Sequence, residues 1–326
     1  MIVTLTGTGT SHGIPVIGCE CPVCRSNDPH DTRLRCSAYV RAGDTALVID
    51  TGPEFRLQAL KYNIKHLDAV LITHSHADHL NGLDDLRIFS HTASPGKNNK
   101  TENILPLYAN GTTLRDIQTR FSYVFAQTQQ GGGKPLLNLF NADEYSKEKP
   151  VVVQNRQEGA KDEFPKCTNS KQNSAKDKCA NSPELLCFPI PMKHGNLDVA
   201  GWNICERTMG EYAKDANSPQ ITHNSKSFTY LTDCSAVPSE SIELIQGTEH
   251  LVIDGLRETP HITHFSFLQA LECASKIHPK HVWLTHICHN NSHEQINAWL
   301  AEHKKQFPSL ADIPVHAAYD GLILNI

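Results

Sequence analysis

Several features are missing from this chain, and each absence narrows what it can be. No apolar run approaches the roughly 18 residues of a membrane span, so no membrane partner is expected. Residues 1–6 carry no basic cluster and no adequate apolar stretch, so they do not read as a signal peptide. Positive charge is not in excess. The 30 Lys and Arg stand against 35 Asp and Glu, and the net charge of −5 gives no electrostatic reason to expect nucleic acid. No internal repeat is found at the periods that mark solenoids or propellers. With no export signal, the 11 cysteines, an odd number, read as thiols and metal ligands rather than as a disulfide framework. A cytoplasmic protein is the expectation.

What is present is an ordinary globular balance, 39% hydrophobic and 20% charged over 326 residues. An alternating strand at 2–6 ends in Gly7-Thr8-Gly9, and the cysteine trio Cys19, Cys21 and Cys24 follows in a loop. Residues 36–40 and 45–49 read as a hairpin, followed by Asp50-Thr51-Gly52-Pro53 and a helix to about residue 62. A strand at 67–73 delivers a histidine motif, and a helix is expected over 79–90. After a polar loop at 92–103 come a strand at 104–108 and a helix at 112–125.

Residues 127–184 change character. They hold Gly131-Gly132-Gly133 and a polar segment from 161 to 183, and they read as a surface insertion. Five lysines lie between Lys161 and Lys178, but Asp162, Glu163 and Asp177 offset most of their charge. Strands are expected at 185–190, 200–205, 228–232, 250–253 and 282–285, with helices at 238–246, 264–277 and 291–303. A second insertion spans about 207–226, and Tyr319-Asp320-Gly321 leads into a closing strand. Strands and helices interleave in both halves, which implies layers of sheet covered by helices.

The chemistry concentrates in His74-Ser75-His76-Ala77-Asp78-His79, directly after an apolar strand. Three imidazoles suit zinc, iron or nickel, and the carboxylate adds a hard oxygen donor. The alternative is a solvated histidine cluster. Against that alternative, His194, Asp233 and His286 also stand just past the ends of apolar strands. Side chains at strand ends share one rim, so residues far apart in the chain can converge there.

The motif with Leu80-Asn81-Gly82, together with Asp50-Thr51-Gly52, His194, Asp233 and His286 in that order, resembles the metallo-β-lactamase superfamily. The resemblance implies an α+β fold: a four-layer αβ/βα sandwich with surface insertions, forming a single domain over 1–326. It also implies that His74, His76 and His194 hold one metal and that Asp78, His79 and His286 hold another, with Asp233 bridging them. Asp50 would orient the ligand loop from behind. Two ions about 3.5–4 Å apart lower the pKa of a shared water and clamp entering and leaving oxygens, which suits hydrolysis of phosphoesters or acyl bonds.

The other motifs are needed to choose between those reactions. Three thiolates within six residues make part of a closed tetrahedral zinc site. His289 or Cys288 is the candidate fourth ligand. The trio with His289, the opening from Leu5 to Val16 and the final Tyr319-Asp320-Gly321 resemble the phosphoribosyl cyclic phosphodiesterase subfamily of the carbon–phosphorus lyase pathway. That resemblance implies a structural zinc on Cys19, Cys21, Cys24 and His289, beside two active-site zinc or manganese ions. It makes His264 the catalytic general acid, with Asp78 as a ligand carboxylate that also serves catalysis. His261 competes with His264 for that role, His12 lines the pocket, and Arg87 reads as the salt-bridge partner of Asp84 or Asp85.

The expected activity is hydrolysis of a small phosphodiester, of cyclic ribose or nucleotide type. The alternatives are a tRNA 3′-processing endonuclease and a non-catalytic metal-binding protein. The first of these is disfavoured because no basic arm lies between His194 and Asp233. The partner is then a small molecule rather than nucleic acid, and homodimerisation remains open.

Overall fold

Short apolar and alternating segments supply the strands of two sheets in a computed structural model, which describes residues 1–91, 104–127, 133–156, 183–207 and 226–326. The first sheet takes β1 (Ile2–Gly7), β2 (Ser37–Ala42), β3 (Thr45–Ile49), β4 (Ala69–Leu71), β5 (Leu105–Ala109) and β6 (Leu137–Asn141). The second takes β7 (Val151–Val153), β8 (Glu184–His194), β9 (Leu197–Arg207), β10 (Ser227–Leu231), β11 (His250–Asp254), β12 (His281–Thr285) and β13 (Val315–Ala317). β14 (Ile323–Asn325) returns to the edge of the first sheet beside β1, giving the orders β14-β1-β2-β3-β4-β5-β6 and β13-β12-β11-β10-β9-β8-β7.

Helices cover the outer faces. In the first half these are α1 (Phe55–Lys61), α2 (Ala77–Leu80), α3 (Arg87–His91), α4 (Gly111–Arg120) and α5 (Ser122–Phe125). In the second half they are α6 (Ser239–Leu244), α7 (Phe267–Ile277) and α8 (His293–His303). Leu5, Val40, Leu47, Trp202, Phe228 and Tyr230 fill the space between the sheets. Phe55, Val70 and Ile117 pack the first sheet against its helices, and Leu251, Leu271 and Leu300 do so on the second. The order is helix, sheet, sheet, helix, the α+β sandwich that the sequence resemblance implies.

Strand direction places the functional rim. β3, β4, β5 and β6 run parallel, as do β10 through β13. β8 pairs antiparallel with β9, and β9 with β10, so β8 ends at the same rim as β10. The carboxyl ends of β3, β4, β8, β10, β11 and β12 therefore deliver Asp50, Thr73-His74, His194, Asp233, Asp254 and His286 to one edge. Two bonds lock the sheets together beneath it. The Trp202 indole donates to Ile72 O at 3.4 Å, and Ala200 N–H donates to Thr73 O at 3.0 Å.

Several sequence expectations need correction. The helix over 79–90 is broken into α2, a 3-10 turn Leu83–Leu86 and α3. At Gly82 the backbone lies against Thr51-Gly52, and a Cβ there would sit 2.1 Å from Gly52 O. The helix over 112–125 is likewise two pieces, α4 and α5. The segment 127–184 is not without structure, because its apolar pieces supply β6 and β7, one at the edge of each sheet. His264 lies outside α7, which starts after Ser266 in a capping box with Gln269. Residues 92–103, Gly131-Gly132, the polar segment at 161–182 and most of the second insertion lie outside the described residues.

A buried polar network closes the chain end onto β1. The Asp320 carboxylate accepts from Thr8 Oγ1 at 2.8 Å and from Leu34 N–H at 2.6 Å, while Arg33 Nη1 donates to Thr8 Oγ1 at 2.8 Å. Burial pushes the Asp320 carboxyl up to about 6, against the pull of those donors and of Arg33. Its folded pKa thus exceeds the unfolded one, so Asp320 stabilises most below about pH 4 and loses that contribution as pH rises through 6. Urea unfolding of wild type and Asp320→Asn at pH 4, 5 and 7 checks this. The wild type's advantage should shrink with rising pH by up to about 3 kcal/mol.

Candidate metal centre

The donors are oriented from behind before they meet. Asp50 is fully buried and takes a left-handed backbone, φ 62°, at the end of β3. One carboxylate oxygen accepts from Thr73 N–H at 2.8 Å. The other accepts from Thr73 Oγ1 at 2.8 Å and from His79 Nδ1 at 2.7 Å. Thr73 Oγ1 has donated its hydrogen to Asp50, so it accepts from His74 Nδ1 at 3.0 Å. His194 Nδ1 donates to Thr263 O at 2.7 Å. Three imidazoles thus spend Nδ1–H on protein oxygens and turn an Nε2 lone pair inward, as metal-ligating histidines do.

Two of those inward atoms, and the ring of His286, lack hydrogen-bond partners. His74 Nε2, His79 Nε2 and both ring nitrogens of His286 are buried and unsatisfied, which is costly unless another species fills the space. Their close neighbours are oxygens that do not meet hydrogen-bond geometry. His79 Nε2 lies 3.0 Å from Asp233 and 3.2 Å from Asp78, and His286 Nε2 lies 3.1 Å from Asp233. Two donor groups result, His74-His76-His194 and Asp78-His79-Asp233-His286, with the ligand atoms of each within 4.8 Å of one another. Asp233 also approaches His74 Nε2 at 3.9 Å, so its carboxylate lies between the groups.

Burial opposes ionisation of Asp233, yet His286 and His79 hold its carboxyl well below the usual carboxylate range. Asp233 and His286 both adopt left-handed backbones, φ 53° and 58°, an uncommon conformation for such residues. Unsatisfied nitrogens, anionic oxygens and strained ligand-bearing residues together fit a pair of divalent cations.

His264 completes this wall. Its ring stacks on His286 with centroids 4.6 Å apart and meets His194 edge-on at 4.6 Å. Nδ1 lies 2.8 Å from Asp254 Oδ2, which also accepts Cys234 N–H at 2.9 Å. Burial pushes the Asp254 carboxyl up, and His264 draws it back. Asp254 escaped the sequence reading, although it ends β11 as Asp233 follows β10, a signal that could have found it. His261 lies outside this wall, its ring 5.3 Å from His264, and His12 lies 6.4 Å from the His289 ring. Arg87 pairs with Asp84 at 3.5 Å on the surface.

A second cluster gathers Cys19, Cys21, Cys24 and His289. The three Sγ atoms lie 3.4, 3.5 and 3.4 Å from His289 Nδ1. A tetrahedral ion with bonds of about 2.3 Å to sulfur and 2.05 Å to nitrogen would set that separation at about 3.6 Å, so the donors fit zinc. Cys24 N–H donates to Cys21 Sγ and, with His289, draws the Cys21 thiol down to about 6, which favours the thiolate. Cys288 points elsewhere, 2.8 Å from Asn290 Oδ1, so His289 is the fourth donor of this group.

One further pair acts on the ligand loop and carried no sequence signal. From α4, Asp116 accepts from Ser75 Oγ at 2.5 Å and Arg120 donates to Ser75 O at 2.5 Å, holding the residue between His74 and His76. Asp116→Ala should weaken metal binding about 10- to 100-fold at the His74-His76-His194 group, measured by chelator competition. Elemental analysis should give about three metals per chain, two on the dinuclear donor set and one on the tetrahedral set. Cys21→Ser should lose one of them, and a count of zero or one in the wild type would sink this assignment.

Residues 45–287 match the beta-lactamase superfamily domain, a span that encloses both dinuclear donor groups and His264. An octanoyltransferase of Porphyromonas gingivalis (strain ATCC BAA-308 / W83) is 31% identical over 320 residues, 98% of this chain and 50% of that protein. The chain thus spans about half the length of that relative. Among solved structures, a diphosphatase from the PhnP family is 32% identical, with a TM-score of 0.68 over 99% of this chain and 96% of that one. Zinc-bound PqqB from Methylobacterium extorquens, at 16% identity and a TM-score of 0.62 over 100% of both chains, shares the fold.

Proposed function

Because the chain belongs to the beta-lactamase superfamily of metal-dependent hydrolases, we propose that it cleaves a small phosphodiester. The observation that carries the reading is the Asp254-held His264, whose donor atom lies within 4.8 Å of those of His194 and Asp233. Two divalent ions on the seven donors would lower the pKa of a shared water toward neutrality and offset charge on the phosphoryl oxygens. The residues of the chain supply the rest. Nδ1 of His264 is committed to Asp254, which leaves Nε2 as the only ring position that can carry a mobile proton. The buried Asp254 carboxylate orients the ring, and Nε2–H is then placed to protonate the departing oxygen. An alkoxide leaving group needs such an acid. Asp78 and Asp233 would hold the ions as ligands, and a zinc on Cys19, Cys21, Cys24 and His289 would brace the loop that follows His286.

The likeness to a diphosphatase supports phosphoester chemistry over acyl chemistry. The octanoyl transfer in the name of the Porphyromonas relative belongs to a chain of twice this span, so an acyl thioester is the discriminating control. A panel of bis(p-nitrophenyl) phosphate, a cyclic nucleotide phosphate, an octanoyl thioester and precursor tRNA tests the reading. Metal-dependent turnover of the first two is expected, and faster turnover of the thioester or the tRNA would overturn it. His264→Ala should keep its metals while kcat falls about 10²- to 10⁴-fold, and Asp254→Asn should act in the same direction. Unchanged turnover in the His264 variant would remove it from the mechanism.

A further inference from the structure

We propose that Asp254 is a positioning residue for two imidazoles at once. Besides His264 it orients His286, so one buried carboxylate ties the candidate acid to a candidate metal ligand. The proposal rests on the dinuclear reading of the donor set for its consequence.

His286 differs from its fellow donors. His74, His79 and His194 each commit Nδ1 to a protein oxygen. His286 is 1% exposed, and among the described residues neither of its ring nitrogens meets a hydrogen-bond partner. Its Nε2 faces Asp233 at 3.1 Å and Asp78 at 3.7 Å, the side on which a cation would sit. Nδ1 then carries the ring hydrogen, and a buried N–H calls for an acceptor.

Asp254 holds the complementary orphan. It is fully buried, and its Oδ2 serves His264 Nδ1 at 2.8 Å and Cys234 N–H at 2.9 Å. Its Oδ1 has no hydrogen-bond partner among the described residues. One donor atom each of Asp254, His264 and His286 lies within 4.8 Å of the others. The backbone enforces that proximity. Asp254 pairs with Thr285 in the parallel ladder of β11 and β12, and Gly255 N–H donates to Thr285 O at 2.9 Å. The His264 and His286 rings stack with 12° between their planes, so each carboxylate oxygen can serve one ring. Burial pushes the Asp254 carboxyl up, and His264 and then His286 draw it back. The rival acceptor is Cys36, which also acts on His286 and whose Sγ lies 3.4 Å from Thr285 Oγ1. A thiol sulfur is a weak acceptor, whereas a carboxylate is a usual partner of a metal-ligating imidazole.

An amide at position 254 could satisfy only one of the two rings. Its oxygen would serve His264 and Cys234 N–H, while its NH2 would donate to His286 Nδ1. The His286 hydrogen would then move to Nε2, where it blocks ligation.

Chelator competition on metal-loaded full-length protein tests this. Asp254→Asn should weaken one metal of the dinuclear set about 10- to 100-fold. The other, and the metal on the cysteine cluster, should keep wild-type affinity. His264→Ala and Cys36→Ala should each keep all three metals. In cobalt-substituted protein, Asp254→Asn should also lose one of the exchangeable, cobalt-shifted proton resonances that ligand Nδ1–H groups give. Wild-type metal affinity in Asp254→Asn overturns the proposal, as does an equal loss in Cys36→Ala. Equal weakening of all three metals would make Asp254 a brace of the fold and overturn it too. A wild type that binds fewer than two metals at the dinuclear set would remove the dinuclear reading itself, and the proposal with it.

Discussion

The carboxylate of Asp50 is the constraint on which the geometry of the candidate metal centre depends. It is sealed from water, and burial pushes its carboxyl up, so its charge persists only because of the donors it receives. Those donors are Thr73 N–H, Thr73 Oγ1 and His79 Nδ1. One buried anion therefore fixes the entry of the ligand loop, the tautomer of His79 and, through Thr73, the tautomer of His74. The turn that carries Asp50 lies so close to the loop that Gly52 and Gly82 admit no side chain. A Cβ at either would fall 2.1 Å from a backbone oxygen. The break between α2 and the following 3-10 turn is a consequence of that packing.

Around this anchor, the two sheets act as a device for convergence. Parallel pairing puts successive strand ends at one edge, and the antiparallel β8-β9 hairpin adds His194 to the same edge. The interior between the sheets, with Trp202 reaching across to Ile72 O, keeps the two halves of the donor set at fixed separation. The strained backbones of Asp233 and His286 are tolerated because each is followed by bonds that over-determine it. Cys234 N–H donates to Asp254, and Ile287 N–H donates to Thr8 O at 3.0 Å. The same few bonds serve stability and site geometry at once.

The residues that gather in the two candidate donor groups were legible in the chain because their chemistry and their local setting coincide. An imidazole or carboxylate directly after an apolar run is visible without coordinates, and His74, His194, Asp233 and His286 all satisfy that rule. The cysteine trio was legible by spacing alone. Asp254 obeys the strand-end rule too, but a lone aspartate before a glycine gives no reason to prefer it until His264 is seen against it. Asp116 and Arg120 were illegible for a different cause. Each is an ordinary surface-type residue whose partner is a backbone oxygen or hydroxyl from a distant or irregular segment. The segment 127–184 was misread because two short apolar pieces inside a polar stretch declare themselves as strands only once sheet edges exist to receive them.

By itself, then, the sequence determined the layered class of the fold, the rim on which chemistry would occur and the residue types able to hold cations there. Those follow from local periodicity and from donor chemistry, which are properties of neighbouring residues. Tertiary structure alone decided which nitrogen of each imidazole faces inward, which carboxylate holds His264, that His289 rather than Cys288 joins the three thiols, and where helices must break. These are settled by hydrogen bonds and close approaches between segments tens to hundreds of residues apart. No local pattern encodes a partner that the chain meets only after the sheets have paired.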